Sequence, residues 1–334
     1  VSSPRSASAV DASPDVRTGV RRGGAVLVLA LLAAAIPLWG PSAALHGTGE
    51  AAAPGAGGTA LLRGVLFAAL SVSLGELFTG RLADGLPGAP GERPSRWAPL
   101  ANGVGCAAAL ALASVVATGN LVPRDLGQID LGGLYASRDG RLALLEVNAF
   151  LLAALCARSR RPGLQLWPLT GVLIAEALRA HLVAEQGPLT GSLLTLTHLT
   201  CAALWTGGLP YTLRVLRLWR GGPASAALLG RYARLAALLL AALTATGVWS
   251  ALRRMPPGTV LDQLTTTAYG RTLLAKVLLV AVVAVLALWA RVRLGRSGDP
   301  LAAAAPARAE VIALGAVVAV SGLLTALPLP IRWS

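Results

Sequence analysis

The chain has 334 residues, of which 55% are hydrophobic and only 13% charged, where a soluble domain carries about 25% charged residues. That balance excludes an ordinary water-soluble protein and demands lipid as part of the solvent. The net charge of +14 would suit a nucleic-acid partner, but the arginines cluster at the ends of apolar runs and no base-reading module is present. Nucleic acid is therefore excluded, and membrane topology explains the charge.

Residues 1–24 are polar, contain Pro4 and Pro14, and end near Arg21 and Arg22. They read as a disordered cytoplasmic tail. Nine apolar segments follow, at about 25–45, 59–79, 97–118, 142–158, 166–185, 191–213, 227–250, 272–292 and 309–329, each near the length that crosses a bilayer as a helix. The expected fold is all-α, a polytopic transmembrane helical bundle of about nine spans. It divides into an N-terminal membrane half (25–185) and a C-terminal membrane domain (186–334). The first span also has features of a secretory signal, with Arg21 and Arg22 before it and small residues at Ser42, Ala43 and Ala44.

Arginine asymmetry gives the orientation. Loops with Arg81, Arg93 and Arg96, with Arg158, Arg160 and Arg161, with Arg214, Arg217 and Arg220, and with Arg291, Arg293, Arg296 and Arg308 are expected to face the cytoplasm, as is the tail. The N-terminus is then inside and the C-terminus outside the cytoplasmic membrane. No nucleotide-binding loop or G-x-S-x-G nucleophile motif occurs, so neither an enzyme nor an ATP-driven pump is expected from these residues.

Ionisable side chains within spans carry the functional signal, because hydrocarbon penalises them unless they are paired or lead to water. Several have simple structural explanations. Glu176 and Arg179 are three apart on one helix face and can neutralise each other. Arg63, Arg231 and Arg234 lie near span ends, where they can snorkel, and Glu76 lies near the inner end of the second span. The three cysteines, Cys106, Cys156 and Cys201, have no disulfide spacing.

The three histidines are more informative. His46, His181 and His198 all fall toward the side expected to be extracytoplasmic, and the short linker between the fifth and sixth spans makes His181 and His198 candidates to face each other. Leu194, His198, Cys201, Trp205 and Gly208 form one stripe of the sixth span. Imidazole and soft sulfur together suit a copper ion, so His181, His198 and Cys201, with His46 as an outlying candidate, are candidate metal ligands. Hydrogen-bonding interior histidines and a cysteine that only packs fit the same spacing. Two facing histidines suit a haem iron equally well.

From His198 onward the chain resembles the membrane domain of the copper-resistance protein D (CopD) family. The resemblance rests on a turn at Trp205-Thr206-Gly207-Gly208-Leu209, on Gly230-Arg231-Tyr232-Ala233-Arg234-Leu235, on Tyr269-Gly270-Arg271-Thr272-Leu273-Leu274-Ala275-Lys276, and on the closing span from Arg308 to Pro328. The earlier spans resemble the N-terminal membrane half often found in actinobacterial members. The resemblance implies copper handling at the cytoplasmic membrane, generally inward movement, with copper ion as cargo, lipid as surroundings and a small periplasmic copper-binding protein as partner. Trp205, Tyr269 and Lys276 are then expected along the transport pathway. Competing readings are a haem-binding membrane redox protein and an assembly factor that delivers copper to an oxidase.

Overall fold

Alanine and leucine dominate the apolar runs. Both form helices readily, and a helix satisfies its backbone polar groups within the segment, as lipid solvation requires. The computed structural model describes residues 14–51, 53–119, 130–180, 187–220, 222–255, 257–297 and 304–329, and among these every regular element is helical. In chain order they are α1 (Pro14–Leu45), α2 (Ala56–Asp84), α3 (Ala98–Thr118), α4 (Leu131–Ala136), α5 (Arg138–Arg158), a single 3-10 turn at Pro162–Gln165, α6 (Leu166–Arg179), α7 (Pro188–Leu218), α8 (Pro223–Arg254), α9 (Val260–Thr266), α10 (Ala268–Ser297) and α11 (Ala304–Leu324).

Apart from the short α4 and α9, each described helix overlaps an expected span, although α6 ends at Arg179, short of the expected 166–185. Six segments among the described residues are long and apolar enough to cross a membrane: Leu27–Leu45, Ala56–Asp84, Ala98–Thr118, Arg138–Arg158, Pro223–Arg254 and Ala268–Ala290. The helices also run past the expected spans, because arginine continues a helix well after the apolar run has ended. Thus α1 begins at Pro14, within the stretch expected to be a disordered tail, while residues 1–13 lie outside the described residues.

Helix α2 sits at the centre, packed by α3, α7 and α11. Its approach to α7 is backbone against backbone: a Cβ on Gly207 would overlap the Ser71 carbonyl, and one on Gly75 would overlap Gly207 itself. Lipid-solvated helices gain association from such small-residue contacts, since apolar burial alone offers little there. The Trp205–Leu209 segment, expected as a turn, is therefore continuous helix within α7. Its glycines serve close approach, and α7 passes unbroken through Pro210. A buried polar ladder adds directional contacts: Ser73 Oγ donates to Asn102 Oδ1 (2.6 Å), and Asn102 Nδ2 donates to Gln165 Oε1 (3.0 Å).

Loop contacts close both ends of the bundle. At one end, hereafter the His46 end, Arg271 Nη1 donates to the His46 carbonyl (2.8 Å), the Ala268 amide to Glu50 Oε2 (3.2 Å), and Arg253 Nη2 to the Gly187 carbonyl (3.0 Å). At the other, the Trp97 and Ala98 amides donate to Glu76 Oε2, so Glu76 caps the start of α3. Arg214 there stacks 3.7 Å from the Trp97 ring centroid and donates to the Ser95 carbonyl. Arg231 Nη1 donates to the Gly85 carbonyl at 2.8 Å.

Candidate metal-ion pathway

Three polar side chains reach a similar depth from the His46 end on three helices. His198 follows Pro188 of α7 by ten residues, Thr246 precedes Arg254 of α8 by eight, and Lys276 follows Ala268 of α10 by eight. At 1.5 Å per residue they lie about 15, 12 and 12 Å along their helices. Helix α8 packs along α7 and α10 along α11, while α8 and α10 do not pack closely on each other. The polar groups thus occur where neighbouring helices are spread. The outward faces of α8 and α10, with Leu238, Val248, Val277, Leu278, Val282 and Val285, are apolar and exposed, as lipid-facing surfaces are.

His198 is half-buried, and its Nδ1 lies 2.9 Å from Thr246 Oγ1. The threonine hydroxyl has one proton, and that proton is directed at the carbonyls of Ala242 (2.7 Å) and Leu243 (3.2 Å). With that proton on the helix carbonyls, Thr246 Oγ1 accepts from His198 Nδ1–H, and in that tautomer the Nε2 lone pair is available. Histidine ligands are commonly oriented in this way, by a hydrogen bond from the ring nitrogen that does not meet the metal. The ring lies against the backbone of α8, with a Cβ on Gly247 falling 3.6 Å from His198 Cε1.

Lys276 is half-buried and lies within electrostatic reach of His198. Among the described residues its ammonium has no hydrogen-bonding or carboxylate partner. Nearer the His46 end, Tyr269 is buried and its hydroxyl accepts from Arg254 Nη1 at 2.7 Å, which ties the end of α8 to the start of α10. Arg254 also acts electrostatically on Lys276. Two cations and an imidazole therefore share this region, and among the described residues no salt bridge joins Arg254 or Lys276 to a carboxylate.

The remaining expected site residues are dispersed. Cys201 is partly buried one turn from His198 on α7. Trp205 is buried in the apolar core between α7, α8, α10 and α11, and its carbonyl accepts from Tyr232 Oη at 2.8 Å. His46 is exposed and contributes its carbonyl to the loop contact with Arg271. His181 lies outside the described residues. Helices α6 and α7 do pack on each other, but the His198 ring is turned to α8. Among the described residues no group of three or more His, Cys, Asp or Glu side chains is placed to hold a metal ion.

Thr246 and Arg254 join the candidate site without a signal in the sequence. A threonine in an apolar run usually bonds back to its own helix, so nothing in the sequence marks Thr246 as the partner of a histidine 48 residues away. Arg63 was expected to snorkel, but it turns inward to Glu176, with Nη1 to Oε2 at 2.7 Å.

Long apolar helices closed by arginine-rich loops define the class: an all-α, polytopic membrane protein. Residues 226–327, from the start of α8 through the end of α11, match the family model described as Copper resistance protein D. This segment is thus similar to the CopD family of membrane proteins related to copper resistance. The match takes in Thr246, Arg254, Tyr269 and Lys276, whereas His198, Cys201 and Trp205 precede it. No curated protein matches the chain, and no solved structure does.

Proposed function

We propose that the protein carries copper ions across the cytoplasmic membrane as a nine-span conduit, with no catalytic step of its own. In this reading the His46 end faces the extracytoplasmic side, as the arginine asymmetry favours. The observation that carries it is the His198–Thr246 contact, which presents an oriented, unprotonated Nε2 inside a segment adjoining the CopD match. Copper is cargo, held at His198 Nε2 with Cys201 Sγ one turn deeper along α7. His181, His46 and a small extracytoplasmic copper-binding protein are candidates for delivery at the mouth.

A conduit requires a site that binds well enough to admit an ion and weakly enough to release it. Two ligands on one helix form a weak site, and the Lys276 ammonium weakens it further by opposing a second cation beside His198. Arg254 and Tyr269 bridge α8 and α10 above this point, where cargo must pass. The test is copper uptake into proteoliposomes of purified full-length protein, read by metal analysis, with His198→Ala as comparison. Uptake above empty liposomes that falls at least about tenfold in the variant supports the reading. Uptake equal in both, or a Soret band in the purified protein that pointed to haem, would sink it.

A further inference from the structure

The N-terminal half, outside the CopD match, buries a second group of charges where α2, α5 and α6 meet. Arg63 Nη1 lies 2.7 Å from Glu176 Oε2, Arg179 Nη2 lies 3.0 Å from Glu146 Oε1, and Arg179 Nη1 lies 3.7 Å from Glu176 Oε1. The Glu146 side chain is 0% exposed and that of Glu176 is 4%. Counted from the helix starts at Arg138 and Ala56, Glu146 and Arg63 are about 12 and 10 Å from the His46 end.

Two features separate this quartet from a structural ion-pair clamp. The Glu146 and Glu176 carboxyl groups share one guanidinium, that of Arg179, at 3.0 and 3.7 Å. Carboxylates are acceptors only, and two of them, both buried and crowded on one guanidinium, favour a proton on one. Moreover, both oxygens of Glu146, Oε1 of Glu176, and Nε and Nη2 of Arg179 are buried without a hydrogen-bond partner among the described residues. The 3.0 Å approach of Arg179 to Glu146 is thus misaligned as a hydrogen bond. Buried ionic networks that serve only stability have their polar atoms satisfied.

We propose that Glu146, beside Arg179 and Glu176, binds one exchangeable proton, making the α2–α5–α6 junction a proton-binding site. A proton from water at the His46 end adds to a lone pair of Glu146, whose two oxygens have no hydrogen-bond partner among the described residues. No electron is transferred, and the quartet passes from net zero to +1. Of the other charged groups on the packed elements, Arg138 Nη2 donates to the Leu178 carbonyl at 2.7 Å, beside Arg179, while Asp130, Asp139 and Arg141 are near the start of α5 and Glu76 is thirteen residues along α2. Helix α3 and the Pro162–Gln165 turn bring only Asn102 and Gln165, and α7 brings His198, whose ring is turned to α8.

Helix α2 carries Arg63 and meets α7, the helix of His198, at Gly75 and Gly207. Proton occupancy at the quartet therefore has a packed route to the copper site and supplies an energy source for uptake. That coupling rests on the transport reading above; the proton site does not.

The experiment is infrared titration of copper-free full-length protein from about pH 5 to pH 9, a range in which buried carboxyl groups titrate. Expected is a protonated-carboxyl C=O band that shifts in D2O, disappears on titration, and is lost or displaced in both Glu146→Gln and Glu176→Gln. No titrating band in the wild type, or a band unchanged in either variant that folds, overturns the site. If the site holds, uptake into proteoliposomes should change by about fivefold or more with an imposed pH gradient, and Glu146→Gln should remove that dependence. Equal gradient dependence in variant and wild type overturns the coupling. A titrating band without wild-type uptake would refute the transport reading and leave the proton site standing.

Discussion

His198 Nδ1 and Thr246 Oγ1 are 2.9 Å apart, and the hydroxyl proton is already committed to backbone carbonyls of α8. The threonine therefore acts as a fixed acceptor that orients an imidazole on the neighbouring helix. Removing an orienting partner of this kind typically costs a metal site about 10- to 100-fold in affinity. Thr246→Val keeps the shape and removes the acceptor, so copper affinity of the purified protein, measured by competition with a chelating dye, should fall by that factor. Thr246→Ser should restore most of it. Equal affinity in wild type and Thr246→Val would show that the contact has no part in binding.

Lys276 is expected to separate binding from release. Its ammonium opposes a copper ion near His198, so Lys276→Met should tighten copper binding while slowing uptake into proteoliposomes. Lys276→Arg keeps the charge in a bulkier planar group and should leave affinity near that of the wild type. Weaker binding in Lys276→Met would place the lysine among groups that hold the site together.

The α2–α7 crossing should tolerate no side chain at Gly207. A methyl there overlaps the backbone of Ser71, which cannot move aside as a flexible side chain would. Overpacking a tight interior typically costs about 1–3 kcal/mol, and more where backbone is displaced. Gly207→Ala should accordingly lower the thermal unfolding midpoint in detergent. Gly80→Ala, on the same α2 helix but with nothing within 4 Å of the added carbon, should leave it unchanged or raise it.

These sites differ in how far the sequence announces them. Helices such as α3 and α5 are legible because an apolar run near twenty residues long, bounded by arginines, has few alternatives in lipid. Lys276 and His198 are legible as rare ionisable residues in apolar context. Their partners are not: Thr246 resembles any threonine that bonds back along its own helix, and Glu146 meets Arg179 only because α5 and α6 pack. The glycines at 207 and 208 mislead for a related reason, since glycine marks both turns and close helix crossings, and only the neighbouring backbone decides between them.

Orientation governs which aqueous phase the His198 region meets. Ser159 and Ser137 are exposed and cap opposite ends of α5, with Ser137 Oγ accepting from the Gly140 amide at its start and Ser159 following Arg158 at its end. Arg158, Arg160 and Arg161 flank Ser159, and positive loops stay in the cytoplasm. In a background with Cys106, Cys156 and Cys201 replaced by serine, Ser137→Cys should react with a membrane-impermeant thiol reagent in intact cells. Ser159→Cys should react only after the cells are permeabilised. Both serines lie outside the proposed pathway, so labelling reports topology independently of copper activity. The reverse pattern would turn the His46 end to the cytoplasm, and His198, Lys276 and the Glu146 quartet would then open toward the cell interior.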